Sequence, residues 1–295
     1  MIRGRQMGAV MAGIGIVAIG AALCLRPSDP TLAAPGIEVN REARLASAAT
    51  SADALLGGLI EPLDAALQHA RVGAAKTRTS ELPPAAEFEA AALAVEQASS
   101  VADALGRALR DLAGTVASVA PGSMVPPAPA ASTDLHIVAA QLRASGDAAT
   151  QFVEQRRATT AVNEALGAAV EALRDDDPHA ALDRLAGGDP ALAQLTAWEQ
   201  PPETFGFWLS TIGELYAAAR EIAAATIAGD AEAVARAAAR YGVAAEYARG
   251  ADNALALALA EGASAVSINA QRRVADLLEG ALAARAAVAP LMAPQ

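Results

Sequence analysis

Three histidines, His69, His136 and His179, are the first residues to weigh for chemistry. None has a second His or Cys three or four residues away, the spacing that puts two metal ligands on one helix face. HExxH, CxxC and Glu-x-x-His do not occur, so no metal site is expected. The densest charge cluster is Asp175-Asp176-Asp177. Its oxygens suit Ca²⁺ or Mg²⁺, but the alternating ligands and the Gly of a calcium loop are missing. It reads better as one helix end followed by the cap of the next, where negative charge favours a helix N-terminus. Gly262-Ala263-Ser264-Ala265-Val266 carries the first Gly and the Ser of a nucleophile elbow, without the second Gly or a preceding strand. No catalytic residue and no cofactor is assigned, and an enzyme is not the expected class.

The aromatics offer a different chemistry. Trp198, Phe205, Phe207, Trp208, Tyr216, Tyr241 and Tyr247 fall close together in the chain, with only Phe88 and Phe152 elsewhere. If helices over 203–228 and 231–262 pair antiparallel, these rings gather. They then either anchor a core or line an interhelical pocket for an apolar ligand. Phe205, Phe207 and Trp208 lie on consecutive faces, so at least one must point away from the seam. These seven residues are the candidate ligand or partner contacts.

Composition limits the functions such residues can serve. The chain has 295 residues, 83 of them alanine, and aromatics are 3%. Alanine is the best helix former and buries little area, so a core of this kind has close contacts and few large anchors. The net charge is −11 and Lys76 is the only lysine. Pairs such as Arg156-Arg157 make no basic stripe, which argues against nucleic acid as a partner. The arginine and alanine bias reads as GC-rich bacterial coding. Cys24 is the only cysteine, so no intramolecular disulfide forms.

The elements that position these residues begin with residues 1–26. Arg3 and Arg5 precede residues 7–25, which carry no charge, and Arg26-Pro27 ends the run. Nineteen residues at about 1.5 Å each match a hydrocarbon core of roughly 30 Å. The leading arginines favour a cytoplasmic N-terminus and a body outside the cytoplasm. The competing reading is a cleaved signal peptide and a secreted body, but the apolar run is long for one and its cleavage sites are poor.

Beyond the anchor, residues 27–37 read as a Pro-rich stalk and 38–120 as a helical hairpin. Its first helix runs to Val72 with an interruption at Pro62, and 73–84 is a loop. Phe88, Ala91, Val95, Ala98, Ala102, Leu105, Leu109, Leu112, Val116 and Val119 form a heptad seam on the second helix. Residues 121–132 are a Pro/Ala linker, and 133–290 a helical bundle whose first helix is capped by Ser132 or Thr133. Asp177-Pro178 and Asp189-Pro190 each predict the start of a short helix. The last helix follows Gly229-Asp230, with a break near Gly250 or Gly262 and a stripe through Val274, Leu277, Leu278 and Leu282.

The expected fold is all-α: a single N-terminal transmembrane helix, then an antiparallel multi-helix bundle of long Ala-rich helices. The expected function is a non-enzymatic, membrane-tethered scaffold or protein-interaction module of a bacterial cell envelope, with a protein partner or self-association. The alternative is an extracytoplasmic binding or sensory protein for an apolar or lipid-like ligand. Fractionation tests the tether. The full-length chain should pellet with membranes and leave them on detergent addition but not in high salt. Recovery as a soluble cytoplasmic species would overturn this topology.

Overall fold

A computed structural model describes residues 35–80, 82–119, 123–198 and 203–292. The apolar run 7–25 lies outside the described residues. Among those described, no helix is long and apolar enough to cross a membrane, and no strand occurs. Six helices follow in order: α1 (Pro35–Thr79), α2 (Pro84–Val119), α3 (Ser132–Arg174), α4 (Pro178–Thr196), α5 (Glu203–Ala228) and α6 (Ala231–Val288). A short 3₁₀ turn, Ala289–Met292, ends the described chain.

Neighbours pair antiparallel, and cross-helix contacts fix the register. On α3 and α6, Gln141 meets Arg273, Phe152 faces Gly262, and Asn163 bonds Asp252. On α5 and α6, Glu221 meets Arg240 and Trp208 bonds Asp252. At about 1.5 Å per residue, the 43 residues of α3 reach about 65 Å and the 58 of α6 about 87 Å. α6 exceeds every other described helix, and α3 is longer than α2, α4 or α5. Each serves two cores in succession. The first core joins α1 and α2 to the N-terminal half of α3 and the C-terminal half of α6. The second joins α4 and α5 to the remaining halves. The Pro/Ala segment crosses the first core, where Ala130 is buried and Val125 packs partly.

The α2 seam is buried from Phe88 to Val116 at every position named above, and Val119 is half-buried. Phe88 is the one large aromatic of this core. It sits between Gly73 of α1 and Gly146 of α3, where an added Cβ would lie 2.9 Å and 3.0 Å from it. Side-chain polar contacts lock the same level: Lys76 Nζ donates to Glu87 Oε1 at 2.6 Å, and His69 pairs with Glu87 Oε2 at 3.0 Å. These bonds, Lys76 first, hold the Glu87 carboxyl below its usual range. Arg143 of α3 forks onto Glu89 and Glu96 of α2, and Arg285 of α6 onto Asp53 of α1.

Four expectations are corrected. Helix α1 passes through Pro62 and continues to Thr79, so 73–84 is not a loop. An interior proline costs about 3 kcal/mol. Leu59 and Leu63 are buried on either side of it, and each contributes about 1.5–3 kcal/mol. Past Val72, Gly73, Ala74 and Thr77 are buried, and Phe88 of α2 packs on Gly73. Second, Asp189-Pro190 starts no helix, because α4 runs through Pro190, held by buried Leu185, Gly188 and Leu195. Third, α3 has no side-chain cap at Ser132 or Thr133; Asp134 reaches back to accept from the Ala131 N–H. Fourth, α6 is unbroken at Gly250 and Gly262, and Leu282 is 48% exposed while Ala281 and Ala284 are buried. A straight helix drifts about 20° per heptad, so the buried stripe moves round α6 along its length.

Glycines at these contacts supply a signed test. Ala at Gly146 would meet Ala85 Cα at 3.2 Å and Phe88 Cβ at 3.0 Å, atoms that cannot swing away. Ala at exposed Gly167 meets nothing within 4 Å. Gly167→Ala should stabilise by about 0.5–1 kcal/mol in chemical denaturation. Gly146→Ala should destabilise, because overpacking of about 1–3 kcal/mol exceeds that gain.

Candidate functional site

The second core holds the aromatic residues, and the fold divides them into two sets. Trp208 is fully buried, Phe205 and Tyr216 nearly so, and Trp198 and Tyr241 pack at the edge. Trp198 meets Phe205 edge-on with centroids 4.7 Å apart, and Phe205 stacks on Trp208 at 5.8 Å. The indole Nε1 donates to Asp252 Oδ1 at 2.6 Å, and the Tyr216 hydroxyl donates to the Val162 carbonyl at 3.0 Å. Gly188 of α4 makes room for that hydroxyl. Arg220 lies 5.7 Å from the Tyr216 ring centroid and pairs with Asp189. These five aromatics fill space between helices and bind it together.

The other two leave the core. Phe207 is 55% exposed and Tyr247 57% exposed, and their rings meet edge-on at 6.4 Å. Beside them α5 and α6 form a groove of about 500 Å³, with Ala239, Val243, Ala244 and Tyr247 along α6 and Thr211 and Glu214 along α5. Arg240 sits on its wall and pairs with Glu221 at 2.6 Å and Glu214 at 3.6 Å. An apolar centre with a charged rim is the anatomy of a protein interface.

The outer face of α6 extends this surface. Val243, Tyr247, Gly250, Ala254 and Leu257 are spaced by four, three, four and three residues. Val243 is 60% exposed and Leu257 61%. This is a heptad stripe whose Val243, Tyr247 and Leu257 stay more than half exposed, with Phe207 of α5 meeting Tyr247 at its edge. The sequence reading missed it, because alanine and glycine between the large residues fit either face. The signal was present in the spacing of Val243, Gly250 and Leu257, seven apart.

Other candidates fall outside this face. His136 and His179 are exposed, and His69 pairs with Glu87. Asp177 caps α4 by accepting from the Ala180 N–H at 2.9 Å. Asp175 ends α3, and Asp176 takes a positive φ in the turn between them. No group of three or more His, Cys, Asp or Glu that could hold a metal occurs among the described residues. A second, polar cleft lies between α3 and α6, and Ser264 is on its wall. Comparison with protein-family models, curated proteins and solved structures finds no match to this chain.

Burial pushes the Tyr216 and Tyr241 hydroxyls up, with Asp189 adding to the effect on Tyr216. A tyrosine raised in the fold stays neutral there while its unfolded counterpart ionises near pH 10. Its stabilising contribution is complete below about pH 10 and is lost as pH rises through the folded value. Tyrosinate absorbance from Tyr216 should therefore appear together with loss of helical signal in alkaline titration. Tyr216→Phe should cost about 1 kcal/mol at neutral pH and flatten the alkaline slope. Ionisation of Tyr216 at its ordinary value in a folded protein would contradict this.

Proposed function

We propose that this protein is a non-enzymatic, membrane-tethered interaction module that presents its helical body outside the cytoplasm. The tether rests on the uncharged run 7–25 behind Arg3 and Arg5. The interaction role rests on one observation: the heptad stripe Val243-Tyr247-Gly250-Ala254-Leu257, exposed except at half-buried Ala254 and flanked by Phe207 and the α5–α6 groove. An amphipathic partner helix laid along α6 would bury Val243 and Leu257 at equivalent positions and set an apolar residue into the groove. The aromatic pair supplies the large, rigid contact area typical of binding hot spots. A net charge of −11 keeps such a surface from indiscriminate association and favours a partner with a basic rim.

The second reading, an apolar or lipid-like ligand, is supported by the groove volume of about 500 Å³, which falls within the range of small-molecule sites. Its lining differs from the sequence expectation, since only Tyr247 of the seven aromatics contributes.

Photocrosslinking in native membranes separates the two. A crosslinker at exposed position 250 should capture a discrete protein, and one at exposed Ile137, on α3, should not. Tyr247→Ser with Leu257→Ser should reduce capture at least tenfold, while stability changes by less than about 0.5 kcal/mol per site. Capture of lipid alone at 250 would favour the second reading, and equal capture at both positions would sink the first.

A further inference from the structure

The polar cleft lies where the two cores meet. On α3 the first core ends at Ala149 and the second begins at Ala158. On α6 the second core ends at Leu259 and the first resumes at Ala270. The α6 residues between them, 261–269, read EGASAVSIN, small and polar where the flanking stretches are apolar. The opening has a volume of about 560 Å³, within the range of small-molecule sites.

Its charged and amide groups come from three helices. Arg78 stands at the end of α1, Arg156 and Asn163 on α3, and Asp252 and Asn253 on α6. Some of these are fixed by the fold. Arg156 donates to the Arg78 carbonyl at 2.9 Å and to Ser80 Oγ at 3.1 Å through one terminal nitrogen, Nη1. That bond satisfies an orphan carbonyl of the α1 terminus and anchors the guanidinium at the cleft. Asp252 Oδ1 accepts from Trp208 Nε1 at 2.6 Å and from Asn163 Nδ2 at 3.2 Å. Others remain available: no described hydrogen bond engages the Arg78 guanidinium, Arg156 Nη2, Asp252 Oδ2 or the Asn253 amide.

Two guanidinium groups and one carboxylate give this cleft a net positive lining in a protein of net charge −11. Guanidinium groups present forked donors that match a carboxylate edge to edge. Asp252 Oδ2, held in place by its partner oxygen's bonds, is free to accept from a ligand donor. It would repel a compact dianion such as phosphate. We infer that the cleft between α3 and α6 binds a small organic monocarboxylate that also carries a hydroxyl or ammonium donor. The carboxylate lies on Arg78 and Arg156, and the donor on Asp252, with Asn253 on the same wall as Asp252. Apolar Ala256 and Leu259 contact the carbon chain.

The site is distinct from the α6 outer stripe, so its test stands apart from that of the partner surface. Full-length protein in detergent is titrated by calorimetry and thermal shift with L-serine, 4-aminobutyrate, D-gluconate, D-galacturonate, acetate, glucose and inorganic phosphate. Concentrations run to about 10 mM, enough to saturate a millimolar site. At least one donor-bearing carboxylate should bind saturably, and more weakly as salt rises. Binding by the amino acids or by the sugar acids identifies which donor Asp252 accepts from. Acetate should bind at least tenfold more weakly, and glucose and phosphate should not bind. Arg78→Gln, which removes a guanidinium without a structural bond, should weaken binding at least tenfold with little change in unliganded melting. Ser264→Leu, which fills the cleft, should abolish it. The proposal is overturned if no carboxylate binds, if phosphate binds as well as they do, or if Arg78→Gln leaves affinity unchanged.

Discussion

The structure depends on two long helices that change partners along their length. α3 and α6 lie antiparallel over most of their length, and each buries its apolar stripe against two successive sets of neighbours. The solution is to cover them in two stages. α1 and α2 close one end of the α3–α6 pair, and α4 and α5 close the other. Everything that distinguishes the molecule follows from where that change of partners occurs. Neither core reaches the junction fully, and polar side chains occupy it.

Close approach makes this arrangement possible with so few large residues. Alanine contributes about one methyl of burial, against 1.5–3 kcal/mol for a leucine or phenylalanine. The cores therefore rest on wide alanine contacts and on single anchors set into gaps left by glycine. Phe88 sits between Gly73 and Gly146, Tyr216 over Gly188, and Phe152 over Gly262. The last of these is at the junction itself, where α6 carries no side chain and α3 places a ring against it. Ion pairs then fix register between helices whose alanine surfaces would tolerate sliding. Arg143 on Glu89 and Glu96, and Arg285 on Asp53, are the clearest cases.

Two surfaces remain uncommitted by this packing, and their chemistries differ. The outer face of α6 carries Val243, Tyr247 and Leu257 exposed at helical spacing, suited to another helix. The junction is concave, polar and locally positive, suited to a small anion. Asp252 links the junction to the aromatic core, because its Oδ1 holds the Trp208 indole. Occupation of the cleft would therefore bear directly on the largest side chain of the second core, and through α5 on the Phe207–Tyr247 pair.

Much of the fold was legible in the residues. The α2 seam was read to the residue, because Phe88, Val95, Leu105 and Leu112 are large enough to mark one face. The helical class was equally plain, whereas the antiparallel pairing of α5 with α6 stood only as a condition for gathering the rings. Helix ends were not: Pro62 and Pro190 are strong local stop signals, and only burial of Leu59, Leu63, Leu185 and Leu195 overrides them. The candidate aromatics were found as a group, but their division was not. Whether Phe207 or Trp208 faces the core depends on which side α6 lies. The sequence by itself determined helix, acidity, the uncharged N-terminal run and the cluster of rings, since these are properties of composition and spacing. Tertiary structure alone decided which rings stay outside and where Arg78, Arg156 and Asp252 converge, because residues more than 170 positions apart meet there only when α3 and α6 are aligned.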